Sequence, residues 1–468
     1  MILLVYALGL PAAAAWFLLR TAWPGGGGAA GVPRALPACL AGGLGLGLAS
    51  CYHFLWYPVF GPPGAGFVAF ELLLVGAAVA GWRRWAADAP PPPADPPTWT
   101  RRLWLPFAAV AVLAFRYLVG FYLREPHGDW DAYAIWNLRA RFLYRAADDW
   151  RDTFSPIIWH ADYPLLLPAG VARLWLYAGE EATVVPFVLA VVMVGLTAGV
   201  LVSGLNLLRG GGQGWLAGTA LLCSYTYVYT ARLQYADIPL GFFVLATAVA
   251  FALHDRAGRA GWFFPALAGA MAGLAAWTKN EGQLLLVAAV LARAVVAARD
   301  RAWAAAAREF AWFAAGLAPA GAALLVFKAG FAPPNDLVAG QSASTLDRLA
   351  DLARHEQIAR RFAGEVWEVA PYMVAVLGAY ALLVGRPPAG RRGPGVLTPA
   401  LIVALMTAGY YLVYLTTPHD LTWHLGTSSL RLLAQLWPLA LFTLFLGTAS
   451  LDEAGGRVSP HPRTGRPH

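Results

Sequence analysis

Residues 183–208 read TVVPFVLAVVMVGLTAGVLVSGLNLL, 26 positions without one charged side chain. A helix rises about 1.5 Å per residue, so this run reaches roughly 39 Å and outspans the ~30 Å hydrocarbon core of a bilayer. A helix that is apolar all round belongs inside a very large core or in lipid. Composition decides for lipid: of 468 residues 59% are hydrophobic and 13% charged, about half the charged share usual for soluble domains. Tryptophan (20), phenylalanine (23) and tyrosine (18) are abundant, the rings that populate membrane interfaces. No large part of such a chain could keep a wet surface.

Similar runs recur outward from this one, near 2–19, 36–55, 64–82 and 103–123, then 183–208, 214–231, 237–253, 262–277, 282–298, 308–329, 366–385, 397–416 and 429–448. The fold expected is therefore an all-α polytopic membrane protein of about 13 transmembrane helices. The first run lacks a basic segment before it, and Arg20 follows it instead, so it reads as a spanning helix rather than a signal peptide. With the N-terminus outside, every short inside connection is basic: Arg20 and Arg34; Arg83, Arg84, Arg101 and Arg102; Arg209; Arg256 and Arg259; Arg299, Arg301 and Arg308; Arg386, Arg391 and Arg392; and the tail with Arg457, Arg463 and Arg466. That is the positive-inside pattern, and it predicts an integral cell (inner) membrane protein with a cytoplasmic C-terminus.

Four parts are expected: residues 1–102, a three-helix membrane segment with the proline-rich linker Ala89–Pro97; 103–330, a membrane core with the external loop 124–182; 331–454, further helices with external loops 331–365 and 417–428; and 455–468, a disordered polar tail. No internal repeat is seen. The net charge of +8 is dispersed, which argues against a nucleic-acid partner. Cys39, Cys51 and Cys223 lie in apolar stretches without paired spacing and read as core fillers.

Chemistry should sit on the external face. The loop 124–182 holds nine of the 26 acidic residues, and Tyr133, Trp136, Leu138, Phe142 and Leu143 recur at helical spacing beside Arg139, Arg141 and Arg145 on another face. That pattern predicts a helix lying in the interface plane. Just before it stands His127-Gly128-Asp129-Trp130-Asp131. A turn at Gly128 would let Asp129 and Asp131 converge to deprotonate a hydroxyl or hold a divalent metal; alternatively they cap the helix. In Trp159-His160-Ala161-Asp162-Tyr163-Pro164, His160 and Asp162 could flank a substrate, with Tyr163 beside them as a binding residue, or His160 is a solvated loop residue and Asp162 a cap. Arg232 and Asp237 are ionisable groups at membrane depth, either functional or a pair that holds a turn.

Lys279 and Lys328 are the only lysines, and Lys279 precedes Glu281 at a junction between two helices. A compact ammonium there suits a phosphate oxygen, or it snorkels and pairs with Glu281. Arg431, about one turn inside the last apolar run, would be costly without a counterion. A phosphate is its natural partner, with His424 as a further donor, and Asp420 competes for it. All five polar knots fall on one side of the membrane while the helix middles look dry. Transport needs polar groups near the midplane, so interfacial chemistry is favoured.

In this arrangement the chain resembles the GT-C superfamily of integral-membrane glycosyltransferases, near the dolichyl-phosphate-mannose–protein mannosyltransferase-like and aminoarabinose-transferase-like (family 39-like) proteins. The resemblance rests on Gly128-Asp129-Trp130-Asp131, Asp162-Tyr163-Pro164-Leu165, Arg232…Asp237-Ile238-Pro239 and Thr278-Lys279, and covers roughly residues 103–300. It implies transfer of a sugar from a polyprenyl-phosphate donor to a lipid, glycan or protein acceptor, with Asp129 or Asp131 as base, Lys279 on the donor phosphate and Asp237 as the family's junction acid. Three helices precede the core and Asn280 stands where the family has glycine, both departures from its pattern. A single base predicts inversion at the anomeric carbon. No cofactor is required; two carboxylates without further oxygen ligands would make a weak divalent-metal site. A lipid-linked saccharide transporter or flippase and a polysaccharide ligase are the alternatives.

Overall fold

The computed structural model describes residues 2–24, 34–85, 102–145, 147–155, 157–210, 212–342, 344–369, 372–387, 395–451 and 453–454. Among these residues the chain is helical, with no strand. Ten helices are long and apolar enough to cross a bilayer: α1 (Ile2–Ala22), α2 (Ala35–Phe60), α3 (Ala65–Trp85), α4 (Trp104–Tyr122), α7 (Val184–Arg209), α10 (Asp237–Arg256), α12 (Asn280–Asp300), α13 (Trp303–Gly330), α18 (Leu397–Thr416) and α19 (Leu421–Gly447). Between them run α5 (Asn137–Arg145), α6 (Leu166–Ala178), α8 (Gln213–Cys223), α9 (Tyr225–Arg232), α11 (Phe263–Thr278), α14 (Asp336–Ala339), α15 (Ser344–Ala350), α16 (Leu352–Val369) and α17 (Met373–Val384).

Three of the thirteen expected spans take other forms. The run 214–231 is divided into α8 and α9 by Ser224, whose backbone is extended at φ −71°, ψ 107°. Hydroxyl and aromatic side chains crowd that stretch, and both types weaken a continuous helix. The run 262–277 is the 16-residue α11. Of the run 366–385, α17 supplies 12 residues, and residues 370–371 lie outside the described set. The linker Ala89–Pro97 and the tail from Gly455 also lie outside the described residues.

The core is built around α10, whose apolar window is wholly buried. It packs on α7, α11 and α19. Lipid is as apolar as leucine, so such helices associate through close packing and through polar contacts between them. Two buried arginines supply the latter. Arg173 of α6 grips Glu71 of α3 at 2.6 and 3.0 Å and donates to the Ala7 carbonyl of α1 at 2.7 Å. The Tyr52 and Tyr177 hydroxyls complete the Glu71 carboxylate, so α1–α3 are fastened to α6. At the other end of α12, Arg293 bridges Glu309 (2.5 and 2.8 Å), Asp255 (3.0 Å) and Thr398 (3.0 Å).

The loop after α4 folds as a cap over one end of the bundle. A π turn over Ala132–Trp136 leads into α5, and a 3₁₀ segment over Ala147–Phe154 precedes α6. Trp136, Arg139, Ala140 and Leu143 are buried, while Tyr133 and Phe142 are exposed. Arg139 thus differs from the solvated face expected for it. It turns inward and donates to the backbone carbonyls of Tyr163 (2.6 Å) and Ala161 (3.2 Å). Arg141 and Arg145 stay outward and meet Glu181.

Candidate functional site

Gly128 sets the first wall. Its φ of +76° is a left-handed turn, and a Cβ there would come within 2.7 Å of the Leu233 carbonyl and 2.8 Å of Ala132. Residues 127–131 can therefore lie against 233–235. The Asp129 amide donates to Leu233 O at 3.3 Å, and the Asp131 amide to the Tyr235 hydroxyl at 3.3 Å. Asp129 accepts from the Trp130 amide at 2.7 Å, a local turn contact. Asp131 does not cap the following π turn. Its carboxylate pairs with Arg431, 300 positions along the chain, whose guanidinium lies 5.0 Å over the Tyr235 ring.

Arg431 stands on α19, which begins earlier than the sequence suggests. Asp420 accepts from the Trp423 amide at 2.8 Å and starts the helix at Leu421, so most of the expected loop 417–428 is helical. Arg431 is thus about three turns inside the helix rather than one. Asp420, spent on the cap, is not its partner. One turn further, Gln435 donates to Asp237 Oδ1 and accepts from the Tyr410 hydroxyl at 3.0 Å.

Asp237 opens α10, and its Oδ1 also receives the Lys279 ammonium at 3.1 Å. Lys279 lies in the break between α11 and α12, with extended backbone at φ −151°, ψ 163°. Gly282 lets α12 start tight against α11: a Cβ there would sit 1.9 Å from Ala275 O. Lys279 Nζ is 3.0 Å from Glu281 as well. Burial works against its charge, but Asp237 and Glu281 outweigh it and hold its pKa above the ordinary lysine value. Asp237 Oδ2 and Glu281 Oε2 are buried with no hydrogen-bond partner.

Tyr163 forms the floor beside Lys279, its ring 5.8 Å from Nζ and stacked between Trp136 (5.6 Å) and His160 (4.7 Å). Burial, then the charges of Glu281 and Asp162, push its phenol well above the usual range. Asp162 is buried and accepts from Asn280 and Asn335, each at 2.7 Å. Lys328 donates to Asp162 O at 2.6 Å and to Asn280 Oδ1 at 2.9 Å. Burial brings the nearby Arg139 down to about 10, against the Asp162 charge that raises it. It keeps its charge at neutral pH.

The structure thus joins Asp131, Arg431, Asp237, Lys279, Glu281 and Tyr163 in one cluster, with Asp129, His160 and Asp162 at its edges. Two expected residues stand apart in their contacts. Arg232 packs its guanidinium against Tyr229 (3.9 Å), Phe121 (4.1 Å) and Tyr117 (5.9 Å), while Asp237 takes Lys279 instead. His424 is two turns before Arg431 on α19, about 10 Å along the axis, with Thr417 Oγ1 at 3.0 Å and Tyr414 against its ring.

No family model, curated protein or solved structure matches the chain. The site's chemistry is therefore read from its own geometry. Two cations, Lys279 and Arg431, meet three carboxylates, Asp237, Glu281 and Asp131. The Asp131 and Arg431 side chains are 20% and 22% exposed, against 1% and 6% for Asp237 and Lys279, so the outer pair forms the mouth and the inner pair the base. Among the described residues no three His, Cys, Asp or Glu side chains gather as metal ligands.

Several contributors escape a reading of the sequence. Gln435 could have been found as the polar residue one turn after Arg431 on the same face. Lys328 is the only other lysine, and the rarity that singled out Lys279 applied to it equally. Tyr235, Tyr410 and Asn335 carry no signal that separates them from packing residues.

Proposed function

We propose that the chain is a membrane glycosyltransferase of GT-C type, moving a sugar from a polyprenyl-phosphate donor to an acceptor hydroxyl or amine at the extracytoplasmic face. The observation that carries this reading is the placement of Arg431 and Lys279. Asp237 accepts from both Lys279 and Gln435, and Gln435 is one turn from Arg431 on the same helix. Through Asp237 and Gln435 the two cations belong to one cluster, and two cations drawn together in this way suit one phosphate group. The apolar helices around them would carry the prenyl tail.

In the transfer, the bond from the anomeric carbon to the phosphate oxygen breaks and its electron pair stays on the phosphate. Arg431 and Lys279 stabilise that charge in a water-poor site, an effect worth about 10²–10³ in rate per donor removed. The acceptor oxygen forms the new bond on the opposite face of the sugar and gives its proton to Asp131. Asp129, bonded to its own turn, holds the loop. General-base catalysis of this kind contributes roughly 10²–10⁴. Inversion follows from the single displacement.

A flippase is disfavoured by α10. Between Asp237 and His254 its only polar side chain is Thr247, which donates to the Phe243 carbonyl at 2.8 Å, so this central helix offers no hydrated path. The test is lipid analysis by mass spectrometry of cells with wild-type chain, with Asp131→Asn and without the chain. The latter two should accumulate one polyprenyl-phosphate sugar that the wild type consumes. Identical lipid pools in all three would contradict the assignment.

A further inference from the structure

Of the two cations in the cluster, Lys279 is built to stay paired and Arg431 to exchange its partner. Lys279 and Asp237 are buried and further held by Glu281 and Gln435. Removing a partner from such a buried pair is strongly unfavourable. The Asp131–Arg431 pair is different, since both side chains are about one-fifth exposed and pairs open to water are weak. Asp131 can also let go without moving its backbone, because its amide is held by the Tyr235 hydroxyl and the adjacent Asp129 amide by Leu233 O. Arg431 keeps its stacking on Tyr235 in either case.

We infer that a phosphate group competes with Asp131 for Arg431, so that donor binding itself releases the catalytic carboxylate. The donor diester offers a guanidinium two charged non-bridging oxygens, as a carboxylate does, and Lys279 adds a second cation that the Asp131 carboxylate does not touch. Once displaced, Asp131 is left at the mouth of the site, where an acceptor would arrive, with no cation neutralising it. Before donor binding its carboxylate is engaged by Arg431 and is not free to receive the acceptor's proton. The order is therefore fixed: donor phosphate first, acceptor second. After transfer the polyprenyl phosphate, more highly charged than the donor diester, must in turn be displaced by the returning Asp131.

This rests on the glycosyltransferase reading only in requiring a phosphate at Arg431, and its test separates the two. Binding of farnesyl phosphate and, in a parallel arm, inorganic phosphate is measured on the full chain in lipid nanodiscs. The proteins are wild type, Asp131→Asn, Asp131→Ala and Arg431→Met. Either Asp131 variant, whichever folds, should bind farnesyl phosphate about tenfold more tightly than wild type, equivalent to ~1.4 kcal/mol. Arg431→Met should bind it at least tenfold more weakly. Unchanged or weaker binding by the Asp131 variants, with binding lost in Arg431→Met, overturns the competition and leaves the phosphate site standing. Equal binding by wild type and Arg431→Met overturns both. Tightening seen for inorganic phosphate alone overturns a lipid phosphate as the competitor.

Discussion

Replacing Lys279 by methionine removes a cation that touches both Asp237 and Glu281, at 3.1 and 3.0 Å. The Asp237 and Glu281 side chains are 1% and 19% exposed, so one stranded carboxylate has no water and the other little. Deleting one partner of a buried pair costs about 3–5 kcal/mol. The lower end applies, since Gln435 still donates to Asp237 and methionine fills much of the lysine's aliphatic volume. Asp237→Asn should cost less, about 1–2 kcal/mol, because Lys279 keeps Glu281 and the amide can still accept from it. The double variant leaves no stranded charge at Asp237 and should be more stable than Lys279→Met alone by roughly 1–2 kcal/mol. Equilibrium unfolding in mixed micelles at neutral pH measures all four proteins. Simple additivity of the two single losses would refute the pairing. The pH course follows from the raised pKa. The lysine contribution to wild-type stability is fully present below the unfolded value of 10.5 and is lost only as pH rises through the higher folded one, so that contribution should stay flat across the neutral range.

Three further outcomes follow from other contacts. Arg173→Met strands Glu71 between α1–α3 and α6 and should lower unfolding stability by about 3 kcal/mol, with Glu71→Gln in the same background recovering part of it. Arg232→Ala removes a guanidinium stacked on three rings and should cost roughly 1–2 kcal/mol in thermal or micellar unfolding, with transfer from a lipid-phosphate sugar still measurable. Chelator treatment of the purified protein should leave transfer unchanged, since the role proposed for Asp131 is that of a base; loss restored by a divalent ion would reassign Asp129 and Asp131 to metal binding.

Much of the bundle could be read directly, because length and apolarity settle a spanning helix one segment at a time. The break at Ser224 and the early start of α19 could not. The first depends on a competition between helix and side-chain hydrogen bonds in a Tyr- and Thr-rich stretch, and the second on Asp420 winning a capping role over an ion pair. The site divides in the same way. Asp131, Asp237, Lys279 and Arg431 stand out individually because an ionisable group near lipid is costly unless engaged. Who engages whom is a tertiary matter. Arg431 meets Asp131 and not the nearer Asp420 because Gly128 lets two distant loops dock, and Asp237 meets Lys279 and not Arg232 because α10 and the break before α12 face each other. Arg139 misled for a related reason: helical spacing assigns it a face but cannot foresee two loop carbonyls that need donors.

The central claim is that acids and cations from separate stretches meet at one end of the bundle, and proximity tests it most directly. In a chain with Cys39, Cys51 and Cys223 replaced, Asp131→Cys with Arg431→Cys should be joined by a short thiol cross-linker in membranes. Asp131→Cys with Asp300→Cys should not, as α12 separates Asp300 from Lys279 by about 30 Å. Cross-linking of the control pair, or none between positions 131 and 431, would contradict the account.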